Sequence, residues 1–209
     1  AAGRGITLLS FIENIGLILQ RYGAVFAQGL WNTLWLSFVS VFLGTFLGIL
    51  VALGKLSRHK LLNGVVSTYI EIIRGTPILL QLYFFWLALP NILPSISDTT
   101  CILSALVVNA SAYIAEVIRA GIQAVDAVQR EASLSLGMTE RAIMTKVIFP
   151  QAIKNILPAL GNEVIVMIKQ TSLASVFFFG ELMTAYKQVQ STTFLALEPL
   201  TISGLIYLF

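Results

Sequence analysis

Asn109, Tyr113 and Glu116 recur at i, i+4 and i+7 inside an otherwise apolar stretch, so a helix puts them on one face. Asn162 and Lys169 share a face by the same spacing, as do Glu163 and Gln170, and Gln81 stands within a second apolar run. Polar groups inside such runs are costly and usually line a cavity or pair with each other. Together they suit a zwitterion: carboxylates for an ammonium or guanidinium, Lys169 and the amides for a carboxylate. Glu116 and Glu163 favour a cationic side chain. A packing role competes at each position. Glu116 with Arg119, and Glu71 with Arg74, are i, i+3 and suit local ion pairs, and the second is read as structural. Glu163 and Lys169 can pair with each other. Asn109 can be glue between helices, and Tyr113 a packing residue.

Catalytic and metal chemistry find little support. There is one His and one Cys, Cys101. That leaves no disulfide framework and no four-cysteine zinc site. No nucleophile motif or paired carboxylates stand out, so no enzyme activity, metal or resident cofactor is expected.

These residues must be positioned by membrane helices. Of 209 residues, 57% are hydrophobic and only 11% charged. About 25% charged is ordinary for a soluble domain. Mean hydropathy is +0.87, and one domain over 1–209 is expected. A bilayer crossing takes about 20 mostly apolar helical residues. Leu30 to Leu53 contains no charge and is the cleanest span. Its Gly44 and Gly48 form a small-xxx-small pair that lets another helix approach. Further spans are read at Gly64 to Leu89, Cys101 to about Ile122, about Ile156 to Phe179, and from near Pro199. That makes about five in an all-α integral membrane protein. The last is too short to cross before Phe209 and reads as truncated. Residues 1–28, broken by Glu13, Asn14, Gln20 and Arg21, read as an amphipathic segment at the outer interface.

Cytoplasmic loops are enriched in Lys and Arg. Lys55, Arg58 and Lys60 follow the first span, and Arg119, Arg130, Arg141, Lys146 and Lys154 follow the third. The opposite side holds Arg4, Arg21 and Lys187. This predicts a multi-pass topology with the N-terminus outside and the C-terminus in the cytoplasm. The net charge of +3 reflects orientation, with no nucleic-acid partner implied.

Residues 123–155 are polar and punctuated. Asp126 suits a helix cap with Gln129 reaching back. Gly137 suits the left-handed residue that ends the helix. Thr139 caps a second helix, ended at Phe149-Pro150. Two capped helices on the cytoplasmic side make a surface for docking a partner, or a lid.

This segment resembles a known family. Glu131-Ala132-Ser133, Gly137 and Val147-Ile148-Phe149-Pro150 are similar to the E-A-A-x3-G-x9-I-x-L-P loop of ATP-binding-cassette importer permeases, with Ser133, Val147 and Phe149 as mild departures. Blocks at Tyr69–Pro77, Asn109–Ile122 and Pro150–Glu163 resemble its polar amino acid branch, which includes histidine, arginine and glutamine importers. The resemblance implies a type I importer permease fold. It implies that Arg130, Glu131, Ala132, Ser133, Leu136 and Gly137 form a coupling helix held by an ATPase dimer, which carries ATP and Mg. It further implies a second permease subunit, a periplasmic or extracellular amino-acid-binding protein, and the bacterial inner membrane. The chain has no phosphate-binding Lys loop of its own. An ion-driven secondary transporter is the alternative, but such folds usually show inverted repeats and more spans.

Overall fold

A computed structural model describes residues 8–209. Arg4 and the rest of residues 1–7 lie outside the described residues. Helix α1 runs Leu8–Lys55, α2 Lys60–Gly75, α3 Ile78–Ile92 and α4 Asp98–Gln123. The short α5 (Ala127–Ser135) and α6 (Glu140–Ile143) precede a π-helical turn, Met144–Ile148. Then come α7 (Phe149–Gln170), a 3-10 stretch (Thr171–Phe177), α8 (Leu182–Thr193) and α9 (Leu197–Leu208).

Helices α1 and α4 are long and apolar enough to cross a membrane. Two further crossings qualify only as bent pairs: α2 with α3, bent by 107°, and Glu140–Phe177 with α8, bent by 47°. The apolar α9 follows. From Leu8 onward, the segment expected at the interface and the first expected span run on as one helix of 48 residues. At 1.5 Å per residue it measures roughly 72 Å, well over twice the hydrocarbon thickness.

The described residues form two compact units, 38–167 and 8–37 with 168–209. In the first, Gln81 bonds Asn109 and the α3–α4 turn spans only residues 93–97, so α3 and α4 form an antiparallel hairpin. Gly44 and Gly48 let α1 close on α4, as the small-residue spacing predicts. A Cβ on Gly44 would stand 2.5 Å from that of Ala110. A Cβ on Gly48 would stand 3.0 Å from that of Ile114. Ala52, Ile70 and Ala115 close the core beside this crossing.

In the second unit Ile18, Phe26, Leu182, Ala185, Val189 and Ile202 form the core. Thr33 Oγ1 accepts the Leu182 N–H (3.1 Å), and Asn14 Nδ2 donates to Glu198 (3.1 Å). Glu181 caps α8 by accepting the Met183 and Thr184 N–H groups, each at 2.7 Å. The buried carboxylate thereby satisfies donors that lipid could not.

Three boundaries differ from the sequence reading. The second span is two helices, because Thr76 before Pro77 is held extended (φ −111°, ψ 143°). The helix does not stop at Phe149-Pro150 but continues through the π turn into α7. There the Phe149 N–H reaches back to the Met144 carbonyl. Proline lacks an N–H and clashes with the carbonyl four residues back, and the widened turn accommodates both. Helix α8 occupies the stretch between the fourth and fifth expected spans, where the sequence reading places no helix.

Candidate functional site

Helix α4 brings Asn109, Tyr113 and Glu116 onto one face, and each meets a different fate. Asn109 and Gln81 are both buried. Asn109 Nδ2 donates to Gln81 Oε1 at 3.0 Å. Gln81 Nε2 in turn donates to the Ile73 carbonyl (2.7 Å), the Thr76 carbonyl (3.2 Å) and Thr76 Oγ1 (2.8 Å). These carbonyls are freed by the break before Pro77 and must find donors within the protein. The two amides therefore hold the α2–α3 bend, which is the glue role rather than open ligand contact. Gln81→Leu is expected to cost about 1–3 kcal/mol by stranding buried acceptors. The check is the thermal midpoint of the purified protein. An unchanged midpoint with weakened solute binding would return Gln81 to direct contact.

Tyr113 and Glu116 meet Arg74, which the sequence reading paired with Glu71. The Arg74 guanidinium lies 5.3 Å from the Tyr113 ring centroid, within cation–π range. Arg74 is 3.8 Å from Glu116, and Arg119 bonds the same carboxylate through Nε at 3.0 Å and through Nη2. Glu71 enters no ion pair among the described residues. The Glu116–Arg119 pairing is thus present, with a second arginine from α2 added. Arg74 also lies within electrostatic reach of Glu163. Its spacing from Glu71 in the sequence points to a different carboxylate from the one it meets.

On α7, Asn162 is exposed and Glu163 half-buried. Lys169 is exposed and Gln170 half-buried near the end of the same helix. Neither Glu163 nor Lys169 enters an ion pair among the described residues.

The second feature is the α5 element. Asp126 caps α5 by accepting the Val128 N–H at 2.9 Å. At the other end Gly137 takes φ +75°. Its N–H donates to the Leu134 carbonyl (2.9 Å), and the Met138 N–H donates to the Ser133 carbonyl (3.1 Å). This is the paired 5→2 and 6→1 closure of a Schellman motif. Thr139 then caps α6 through the Ala142 N–H. Arg130 binds Glu140 in a two-pronged contact at 2.7 and 3.2 Å, tying α5 to α6. Arg130 holds the Glu140 carboxyl below the usual carboxylate range. The contact is therefore complete at neutral pH and is lost only as acid protonates Glu140. Ser133 is buried, whereas Glu131 and Ala132 are exposed and Leu136 is 82% exposed. A nine-residue helix is marginal alone, and these closures hold its two ends.

The fold and these features define an all-helical integral membrane protein with a short pair of capped helices, α5 and α6, between its spans. A sequence profile matches residues 44–209, and the chain belongs to the family of binding-protein-dependent transport system inner membrane components. It is 39% identical over 181 residues to the arginine transport system permease protein ArtQ of Bacillus subtilis, covering 86% of this chain and 83% of that protein. It is 34% identical over 206 residues to the nopaline transport system permease protein NocM of Agrobacterium fabrum, covering 94% and 85%. Among solved structures, an amino acid ABC transporter superposes with a TM-score of 0.88 at 48% identity, over 92% of this chain and 90% of that one. The MetNI methionine ABC transporter superposes at 0.70 and 22% identity, a likeness of fold. The fold is that of a type I importer permease, an integral membrane subunit whose family leaves ATP hydrolysis to a partner.

Proposed function

We propose that this chain supplies half of the path through a bacterial inner membrane for a polar or cationic amino acid, and that an ATPase dimer drives it through α5. The second half is another permease subunit, the same or homologous. A periplasmic or extracellular binding protein delivers the amino acid, and ATP with Mg is bound by the ATPase. The reading rests on one observation above all. A short helix carrying exposed Glu131, Ala132 and Leu136 is fixed at both ends by caps and braced by Arg130. A helix laid into a groove transmits force only if its orientation is fixed. With α5 on the cytoplasmic side, the N-terminus is outside and the C-terminus inside. The relatives, named for arginine, nopaline and glutamine transport, support an amino acid cargo.

For the path, Asn162 and Glu163 are the polar groups that α7 contributes to the first unit, and Lys169 and Gln170 those it contributes to the second. Tyr113, Glu116 and Arg74 form the charged wall. Gln81 and Asn109 serve by fixing the bend behind it. The carboxylate of Glu163 receives a cationic side chain or the α-ammonium, and Lys169 the α-carboxylate.

The test is purification with the products of neighbouring genes, followed by uptake into vesicles. An ATPase is expected to co-elute, and uptake of arginine or glutamine to require ATP. Uptake driven by an ion gradient without nucleotide would make the chain a secondary transporter. In the same vesicles Glu163→Gln is expected to weaken cationic amino acid binding about tenfold or more, the loss of a charge-assisted contact. Equal affinity in wild type and Glu163→Gln would remove Glu163 from the path.

A further inference from the structure

A cavity of about 490 Å³ lies against the base of α5. Arg58, from the turn after α1, and Arg141, from α6, both line it. Its two acids are already engaged. Asp126 accepts the Val128 N–H, and Glu140 holds Arg130. Arg58 and Arg141 are exposed and enter no ion pair among the described residues. Its apolar lining includes Ile122, Val125 and Met144. Ile122 and Gln123 are the last residues of α4, a helix long and apolar enough to cross a membrane. The volume falls within the range of small-ligand sites.

We propose that this cavity binds a phosphate-bearing anion through Arg58 and Arg141, with the headgroup of an anionic inner-leaflet lipid as its source. Guanidinium forks match phosphate oxygens two at a time. A basic pocket at the cytoplasmic end of membrane helices is where such headgroups are held. The apolar lining favours the lipid over free phosphate, because it gives the glycerol and first methylenes a dry surface. The cavity also touches Ala127 and Arg130 of α5. A bound headgroup therefore braces α5. The inference rests on the reading that residues 123–155 face the cytoplasm.

The test uses the full chain, purified with its ATPase partners where they co-elute, in phosphatidylcholine vesicles with graded phosphatidylglycerol. Lipid retained by the permease is read by native mass spectrometry. Wild type is expected to retain phosphatidylglycerol. Each arginine near an anionic surface contributes about fivefold, so Arg58→Gln with Arg141→Gln should weaken retention about 25-fold. Arg58→Lys with Arg141→Lys should fall between wild type and the double glutamine variant, because the charge stays and the fork is lost. Millimolar inorganic phosphate is added in a second arm. Displacement of the lipid only at high excess supports the lipid source, and equal competition supports a soluble phosphate ligand at the same arginines. Unchanged lipid retention in the double glutamine variant overturns the proposal. So does a double variant that sheds the ATPase while keeping its lipid, because the arginines would then serve the protein partner. Lipid is read on the permease itself, so failure to find an ATPase leaves this result standing. Labelling of Lys60→Cys only from outside would refute the orientation beneath both readings.

Discussion

In Gly137→Val, ATP hydrolysis by the partner subunits is expected to persist while amino acid uptake falls at least about tenfold. Gly137 sits at φ +75°, and a Cβ built on it meets nothing within 4 Å. The penalty is therefore conformational and owes nothing to crowding. A left-handed L-residue costs roughly 1–2 kcal/mol, and a branched Cβ makes it a genuine outlier. A cost of that size shifts a local equilibrium by about 5- to 30-fold. What opens is the pair of bonds from the Gly137 and Met138 N–H groups to Leu134 and Ser133. With that closure lost, the end of α5 frays and Leu136 no longer has a fixed direction. The ATPase can still cycle, but its motion is not passed on. Gly137→Asn is the control, since asparagine tolerates this region. It is expected to keep most of the uptake. Reconstituted vesicles give both rates in one preparation. Normal uptake by Gly137→Val would show that the turn does not transmit the stroke.

That turn was legible in the sequence because its chemistry is local. Asp126, Gly137 and Thr139 each specify one backbone event within three residues of themselves. The α1–α4 crossing was legible for a related reason. Gly44 and Gly48 mark one stripe on one helix, although the partner helix could not be named. The charged wall was legible only in half. Spacing put Tyr113 and Glu116 on one face, but their partner Arg74 arrives from a helix whose direction depends on the bend at Pro77. Pro77 itself carried that signal through Thr76. A span of about 20 residues favours one helix there, a requirement that two short helices bent by 107° evade. The π turn before Pro150 left no trace, because it widens one turn without a change of residue type. Helix α8 was missed since its cap, Glu181, is outside the usual capping set. The chain also turns left-handed at Phe178 (φ 56°), where a phenylalanine gives no warning.

Gly44→Ala is expected to lower the thermal midpoint of the purified permease, against the ordinary benefit of alanine in a helix. Replacing a helical glycine by alanine stabilises by roughly 0.5–1 kcal/mol where there is room. Gly16 has nothing within 4 Å of the added carbon and should show that gain. At Gly44 the new carbon stands 2.5 Å from Ala110 Cβ, with the Val107 carbonyl at 3.4 Å and the Ser111 nitrogen at 3.5 Å. None of these is the end of a flexible chain, so α4 itself must move. Overpacking of this kind costs about 1–3 kcal/mol, which outweighs the propensity gain. The displaced segment carries Asn109 beside Ala110, and Tyr113 and Glu116 one and two turns on. The variant should therefore lose uptake as well as stability. Ala110→Gly removes the obstructing carbon. The double variant Gly44→Ala with Ala110→Gly is expected to recover most of the midpoint, with a coupling of about 1–2 kcal/mol between the two sites. If the double variant is no better than Gly44→Ala alone, then Ala110 is not what Gly44 makes room for. The close crossing of α1 and α4 would then lose its role in placing the charged wall.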